Sequence, residues 1–461
     1  MTIFSKLAGR DGVPGARQVE AFLRAEIENG DLAEGVQLPP VREAAWQLGC
    51  APGTVSRAYQ ALTVAGLVRG EVGRGTFVGT GTPQRMSHLR DEEMDRFADM
   101  AINTFLMEPA GEIVAQAMEA AAMRARDGAV PLRYVGMMGD EADRQAALLL
   151  LSRWCPQAQL ENIALFNGAQ SVFSCGFAGL MRPGTAVAAD AVTYPGVIAA
   201  AELAGRRVIG IEMDDLGMIP EALDAACRAH AIAIVCLMPG IQNPTGMTMP
   251  AKRREALAKV ADRHDLIVLQ DEVYGFLFDE TAPSFAELLP TRAIVSTSLS
   301  KCVAPTLHVG YAVGPRGLVR RVAQAQNAMA LMVPPILGAA ASHVLTSGLL
   351  ETRVEKVRTG VARRADRMKA LFPVLDRSRL TGGIAWLPVP ENWRVAEFCA
   401  EAEALGVRVG DGASFAVERT NPPQAVRVSF CAVPGEERFQ AAIAILKGLL
   451  DQPMAGSAAM P

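Results

Sequence analysis

The chain has 461 residues, and single hydrophobic cores usually stop growing at roughly 250–300 residues, so at least two domains are expected. It is 50% hydrophobic, 20% charged and only 5% aromatic, which excludes wholesale disorder and implies a core built mainly from Ala, Leu, Val, Ile and Met. The formal net charge of −4, from 45 basic and 49 acidic residues, argues as an average against a nucleic-acid partner.

The first eighty residues have their own grammar. Gly15 to Gly30 places Val19, Phe22, Leu23 and Ile27 on one helical face. Leu38-Pro-Pro-Val-Arg-Glu-Ala-Ala-Trp-Gln-Leu-Gly49 reads as a short helix opened by proline and closed by glycine. A third helix runs from Pro52 to Gly66, with Thr54 as its expected N-cap and Val55, Tyr59 and Leu62 along one side. Leu67 to Val78 switches to strand-turn-strand around Gly73-Arg-Gly75. Three short helices followed by a β-hairpin make a winged helix-turn-helix, whose third helix enters the major groove of DNA.

Residues 1–82 carry eight Lys/Arg and eight Asp/Glu, so the segment is neutral, but its basic groups cluster: Arg42, Arg57, Arg69 and Arg74 stand against only Glu43 and Glu71. Phosphate contacts need local positive charge rather than a basic chain. Leu38-Pro-Pro-Val-Arg42, Gly53-Thr-Val-Ser-Arg-Ala-Tyr59, Gly66-Leu-Val and Gly73-Arg-Gly-Thr-Phe-Val78 together resemble the GntR-type winged helix. The resemblance implies that Arg42, Thr54, Ser56, Arg57 and Arg74 face DNA.

Gly73 to Gly79 does not lead from a strand into a helix, so it is not read as a dinucleotide loop. Thr80 to about Arg96 is polar and reads as a linker. Beyond it, apolar β-like runs (Val187-Ala-Ala, Arg207 to Ile211, Ala233 to Leu237, Leu266 to Gln270, Ala293 to Thr297) alternate with helical patterns such as 220–230 and 250–264. That alternation predicts a mostly parallel α/β sheet with ligands at the carboxyl ends of its strands. Val322 to Leu350 contains no Asp, Glu, Lys or Arg, but its Gln, Asn and Pro334-Pro335 fit buried helices broken at the prolines rather than a membrane span. Eight scattered cysteines show no metal spacing, no metal site is expected, and the start lacks a secretory apolar run; a cytosolic protein with no membrane partner is expected.

Chemistry-bearing motifs fall at strand ends. Ser296-Thr-Ser-Leu-Ser-Lys301 places a lysine after a strand, where an amine of lowered pKa can form an imine with an aldehyde cofactor. Leu269-Gln-Asp-Glu-Val-Tyr274 supplies a carboxylate that could keep a pyridine nitrogen protonated. Gln242-Asn-Pro-Thr-Gly246 supplies an amide suited to a phenolic oxygen.

Asn-Pro-Thr-Gly, Asp-Glu-x-Tyr and Ser-x-Ser-Lys in this order resemble the fold-type I aminotransferases, over roughly residues 100–450. The resemblance implies pyridoxal 5'-phosphate as cofactor, an internal aldimine on Lys301, Asp271 paired with the ring nitrogen, Asn243 and Tyr274 on the ring oxygen, and Tyr194 stacked on the ring. Gly168, Ala169 and Gln170 match the phosphate-binding helix start, where free N–H groups favour an anion, and Ser298 would add a hydroxyl. Tyr134 would reach the phosphate of a neighbouring subunit, and Arg427 would fork onto an effector carboxylate with Asn243 beside it. Lys301, Asp271 and Tyr274 are the expected catalytic groups. One position departs: Pro305-Thr-Leu-His308 has histidine where the family carries a phosphate-fixing arginine. Histidine is shorter and titrates near neutrality as a residue type, so weaker, more pH-sensitive cofactor retention is expected; that Gln170, Ser298 and Tyr134 suffice stays an open alternative.

A GntR-type winged helix fused to an aminotransferase-like domain resembles the MocR family of transcription regulators. The expected fold is therefore multi-domain: an α+β winged helix-turn-helix (residues 1–79), a linker (80–96), an α/β fold-type I aminotransferase-like effector domain (97–452) and a tail (453–461). The resemblance implies a head-to-tail homodimer reading double-stranded operator DNA and sensing an amino compound through external aldimine formation, with little or no turnover. The alternatives are a working pyridoxal-phosphate-dependent aminotransferase with an accessory DNA-binding domain, and a repressor that senses pyridoxal phosphate itself.

Overall fold

The computed structural model describes residues 3–4, 13–33, 35–64, 67–71, 75–79, 97–278, 282–418 and 422–452. Arg74, the 80–96 segment and the 453–461 tail lie outside the described residues. The chain divides into two compact units, Met1–Arg85 and Met86–Pro461.

In the first unit α1 (Ala16–Glu28), β1 (Gln37–Leu38), α2 (Val41–Leu48), α3 (Pro52–Val64), β2 (Val68–Glu71) and β3 (Gly75–Val78) follow one another. β3 lies between β1 and β2, antiparallel to both, with Val68 opposite Val78. Val19, Leu23, Val55, Tyr59, Leu62, Val68 and Val78 are buried together, so the helical stripe read from the sequence is the core face. Two local expectations are corrected. Leu38 belongs to a strand, and α2 begins only at Val41: Pro39 and Pro40 have no N–H to give a helix, and Pro40 is extended at ψ 144°. Thr54 is not an N-cap, because α3 starts at Pro52 and the Thr54 N–H already donates to Ala51 O at 2.9 Å. Proline suits that first helical position since its missing N–H had no intrahelical partner anyway.

The second unit is organised by a seven-stranded sheet. Across it lie Ile163–Asn167, Val309–Val313, Ala293–Ser298, Ile267–Asp271, Ile232–Leu237, Ala186–Asp190 and Val208–Ile211. Only Val309–Val313 runs against its neighbours. The central strands are buried along their length, which is why they read as continuous apolar runs rather than as alternation. The uncharged stretch resolves into helices Arg316–Ala330 and Pro335–Thr346, broken at Pro334. Among the described residues no helix is long and apolar enough to cross a membrane.

Because the other six strands share one direction, their carboxyl ends lie along one edge, where Asn167, Asp190, Asp271 and Ser298 terminate strands. A small antiparallel sheet of Ala385–Pro388, Ala425–Val428 and Gly410–Asp411 carries Arg427. The first described residues after 96 are tied down at once, since Ala98–Asp99 pairs in parallel with Val407–Arg408.

Candidate functional site

Strand Ala293–Ser298 ends at the site edge, and the one-turn helix Leu299–Cys302 that follows carries Lys301. Lys301 Nζ donates to the carbonyl of Asn103. Burial pulls its ammonium down to about 8, Arg427 pulls the same way, and Asp271 holds it up. Asp271 ends the adjacent strand, opposite Ser296. Burial pushes its carboxyl up to about 7, opposed by the Val273 N–H (3.1 Å to Oδ1) and by Lys301. An amine with a neutral share and a carboxyl poised to ionise thus lie close enough to act on each other. That pairing suits a nucleophilic lysine and a partner for a cationic ring nitrogen.

Tyr274 is buried, and its hydroxyl accepts a hydrogen bond from Asn103 Nδ2 at 2.7 Å. Burial also raises its phenol well above the ordinary range, so it stays protonated. Its own O–H hydrogen therefore remains to be donated to an oxygen acceptor such as a phenolate. Tyr194 precedes helix Pro195–Leu203, and burial and Asp271 push its phenol up to about 12. Arg427 is buried, donates Nη1 to Asn243 Oδ1 at 2.9 Å and Nη2 to the Ala101 carbonyl, and lies 4.7 Å from the Phe415 ring centroid. Its Nε has no partner among the described residues. The Asn243 loop is braced from below: Gln242 Nε2 donates to Val192 O (2.6 Å) and Asp190 Oδ2 (3.1 Å), and its Oε1 accepts from Thr245.

At the other end, strand Ile163–Asn167 turns into helix Gly168–Leu180, whose N-terminus has no side-chain cap. Gly168 sits at φ +73°, and a Cβ there would meet the His308 ring at 3.1 Å. Gly310 is required for this approach, because a Cβ on it would lie 2.7 Å from Ala169 N and 2.4 Å from Gly168 C. The uncapped start of this helix thus lies against the exposed His308, and Gly310, which approaches it, pairs with the buried Ser298 at the end of the next strand, so free N–H groups that favour an anion sit beside both residues. Gln170 Nε2 is committed to Gly196 O at 2.7 Å, while its buried Oε1 has no partner among the described residues. Tyr134 stands apart, 73% exposed beside Leu132 at 91%.

In the first unit Arg42, Ser56 and Arg57 are exposed and Thr54 half-buried, on α2 and the first turns of α3. Arg57 Nε donates to Gly53 O at 3.2 Å, and its exposed guanidinium crowns the helix start.

Comparison with known proteins accounts for both units. Residues 16–78 match the bacterial regulatory proteins of the gntR family, and residues 96–445 match aminotransferase class I and II. The HTH-type transcriptional regulator YdeF of Bacillus subtilis is 30% identical, the alignment covering 93% of each chain. The chain belongs to the MocR-type regulators. The HTH-type transcriptional regulator TauR of Rhodobacter capsulatus is 26% identical over 86% of this chain and 89% of its own. Among solved structures, LysN, an α-aminoadipate aminotransferase of Thermus thermophilus complexed with N-(5'-phosphopyridoxyl)-L-leucine, superposes with a TM-score of 0.68. It is 24% identical and covers 78% of this chain and 94% of its own, which shows the fold.

The aminotransferase family of this MocR-type chain is pyridoxal-phosphate-dependent. The residues present fit that group: an uncapped helix start for a phosphate, a half-buried amine of lowered pKa, a buried carboxyl beside it, and buried polar atoms without partners among the described residues on Asn103, Gln170 and Arg427. Asn103, Ala101, Asp190 and Phe415 also belong to the site, although none lies in a motif of the sequence. Asp190 was legible as a carboxylate closing an apolar strand. Asn103 had no signal beyond one amide in the apolar run Ala101 to Met107.

Proposed function

We propose that this regulator binds operator DNA through its winged helix and holds pyridoxal phosphate on Lys301, with an amino compound as effector and little or no turnover. The observation that carries the reading is the grouping of the half-buried Lys301 with the buried Asp271, Tyr274 and Arg427. When bound, pyridoxal phosphate supplies an aldehyde that combines with primary amines and a ring that withdraws electrons once its nitrogen is protonated. Asp271 would hold that nitrogen's proton, Tyr274 and Asn243 the ring oxygen, and Tyr194 the ring face. Gly168, Ala169, Gln170, Ser298 and His308 would hold the phosphate, and Arg427 an effector carboxylate. Arg42, Thr54, Ser56, Arg57 and Arg74 would face DNA.

The functional division is 1–79 for the reader, 80–96 for the linker, 97–452 for the effector domain and 453–461 for a tail, and the cytosol is the compartment. Exposure of Tyr134 and Leu132 supports a head-to-tail homodimer in which Tyr134 reaches the neighbour's phosphate site. Lys301→Ala tests the core of this reading. It should abolish both the visible absorbance of cofactor-loaded protein and the cofactor label fixed by borohydride; a label retained elsewhere removes Lys301 from the role.

The second reading, a working aminotransferase, is favoured by the lowering of the Lys301 ammonium to about 8 by burial, which would let the amine also move protons. Sustained turnover with an amino donor and a keto acid would establish it against the sensor.

A further inference from the structure

Residues 98–107 thread through the site, although no motif marks them. The Ala101 carbonyl accepts Arg427 Nη2, the Asn103 carbonyl accepts Lys301 Nζ, and Phe105 O accepts Arg353 Nη2 at 3.1 Å. Asn103 is 5% exposed and its Nδ2 is committed to the Tyr274 hydroxyl, which leaves Oδ1 as an acceptor with no partner among the described residues. Burying an amide oxygen without a donor is unfavourable, and such an atom in a native site calls for an absent donor. The residue's other bond indicates the class of donor, since its carbonyl already takes a primary amine, Lys301.

We propose that Asn103 recognises the amino group of the effector through Oδ1, and that the strap carrying it registers occupancy. This rests on the reading of Lys301 as the cofactor lysine. A carboxylate arriving at Arg427 competes with the Ala101 carbonyl, and an amine arriving beside Lys301 engages Asn103, two residues further on. An amino acid therefore touches the strap at both points, whereas a simple carboxylate touches it at one. The strap follows directly in sequence on residues 80–96, which join it to the reader, so a change in its bonding is made at the start of the effector unit.

The test uses full-length, cofactor-loaded protein titrated with glycine and followed by its visible absorbance. Propionate, which has the carboxylate without the amine, serves as competitor. Asn103→Ala should raise the half-saturating glycine concentration about tenfold and leave propionate competition within about twofold. Asn103→Asp, which keeps an acceptor, should recover most of the glycine response. Equal losses for both ligands, or none, overturn amine recognition by Asn103. Glycine should also change backbone hydrogen exchange in the peptide covering 97–108 of the unaltered protein, and an unchanged peptide overturns the strap's role. Failure of the unaltered protein to take up cofactor overturns the reading of Lys301 and this inference with it; normal uptake with an unaltered glycine response in Asn103→Ala overturns this inference alone.

Discussion

Arg427 Nη1 donates to Asn243 Oδ1 at 2.9 Å across 184 residues of sequence. The bond joins the small antiparallel sheet to the loop beyond strand Ile232–Leu237 and sets the plane of the guanidinium. Arg427→Lys keeps the charge but loses the fork. It should weaken propionate competition by more than about tenfold, the equivalent of about 1.4 kcal/mol. Arg427→Ala additionally leaves Asn243 Oδ1 and the Ala101 carbonyl buried without that donor, which should lower unfolding free energy by about 1–3 kcal/mol in chemical denaturation. Full ligand competition by the lysine variant would show that the fork is not used.

Lys301 and Asp271 make cofactor uptake pH-dependent. The neutral amine is the nucleophile, so the uptake rate should rise with pH through about 8 and level off above it. Asp271 holds the Lys301 ammonium up, so Asp271→Asn should move the profile to lower pH, and a move to higher pH contradicts the assignment. The same shifts act on stability. Lys301 falls below its ordinary 10.5, so its contribution turns unfavourable as pH drops from 10.5 toward 8. Asp271 rises above 3.8, so its contribution turns unfavourable as pH climbs toward about 7. The cofactor-free unit thus carries both penalties near neutrality, and pyridoxal phosphate should raise its melting temperature there.

His308 stands over Gly168 at the mouth of an uncapped helix. His308→Arg adds a permanently charged fork at that corner and should tighten pyridoxal phosphate binding about tenfold, as measured by equilibrium titration. An unchanged dissociation constant would mean that the backbone N–H groups and Ser298 already saturate the phosphate.

Arg57 lies exposed on the first turns of α3. Arg57→Ala should weaken binding to an operator duplex by about 1–3 kcal/mol and relax sequence preference if the side chain reads a base. A uniform loss across sequences with a shallower salt dependence assigns it to phosphate instead.

The amino-acid sequence by itself determined the two-part organisation, the winged-helix order and the strands that end in Asp271 and Ser298. These are set by local periodicity, by proline and glycine, and by motifs whose members sit within a few residues of one another. Even locally it misplaced the start of α2 and the cap of α3, where consecutive prolines and a Pro52 first turn outweighed the preference of Thr for capping. Tertiary structure alone decided which distant groups meet. Asn103 reaches Tyr274 across 171 residues and Lys301 across 198, and Arg427 reaches Ala101 across 326. The physical reason is that no local pattern records such bonds: every residue has a carbonyl to accept one, and a lone amide such as Asn103 carries no spacing that names its partner. Only the packed sheet edge, where lysine and arginine both find acceptors on it, turns an ordinary strap of backbone into part of the site.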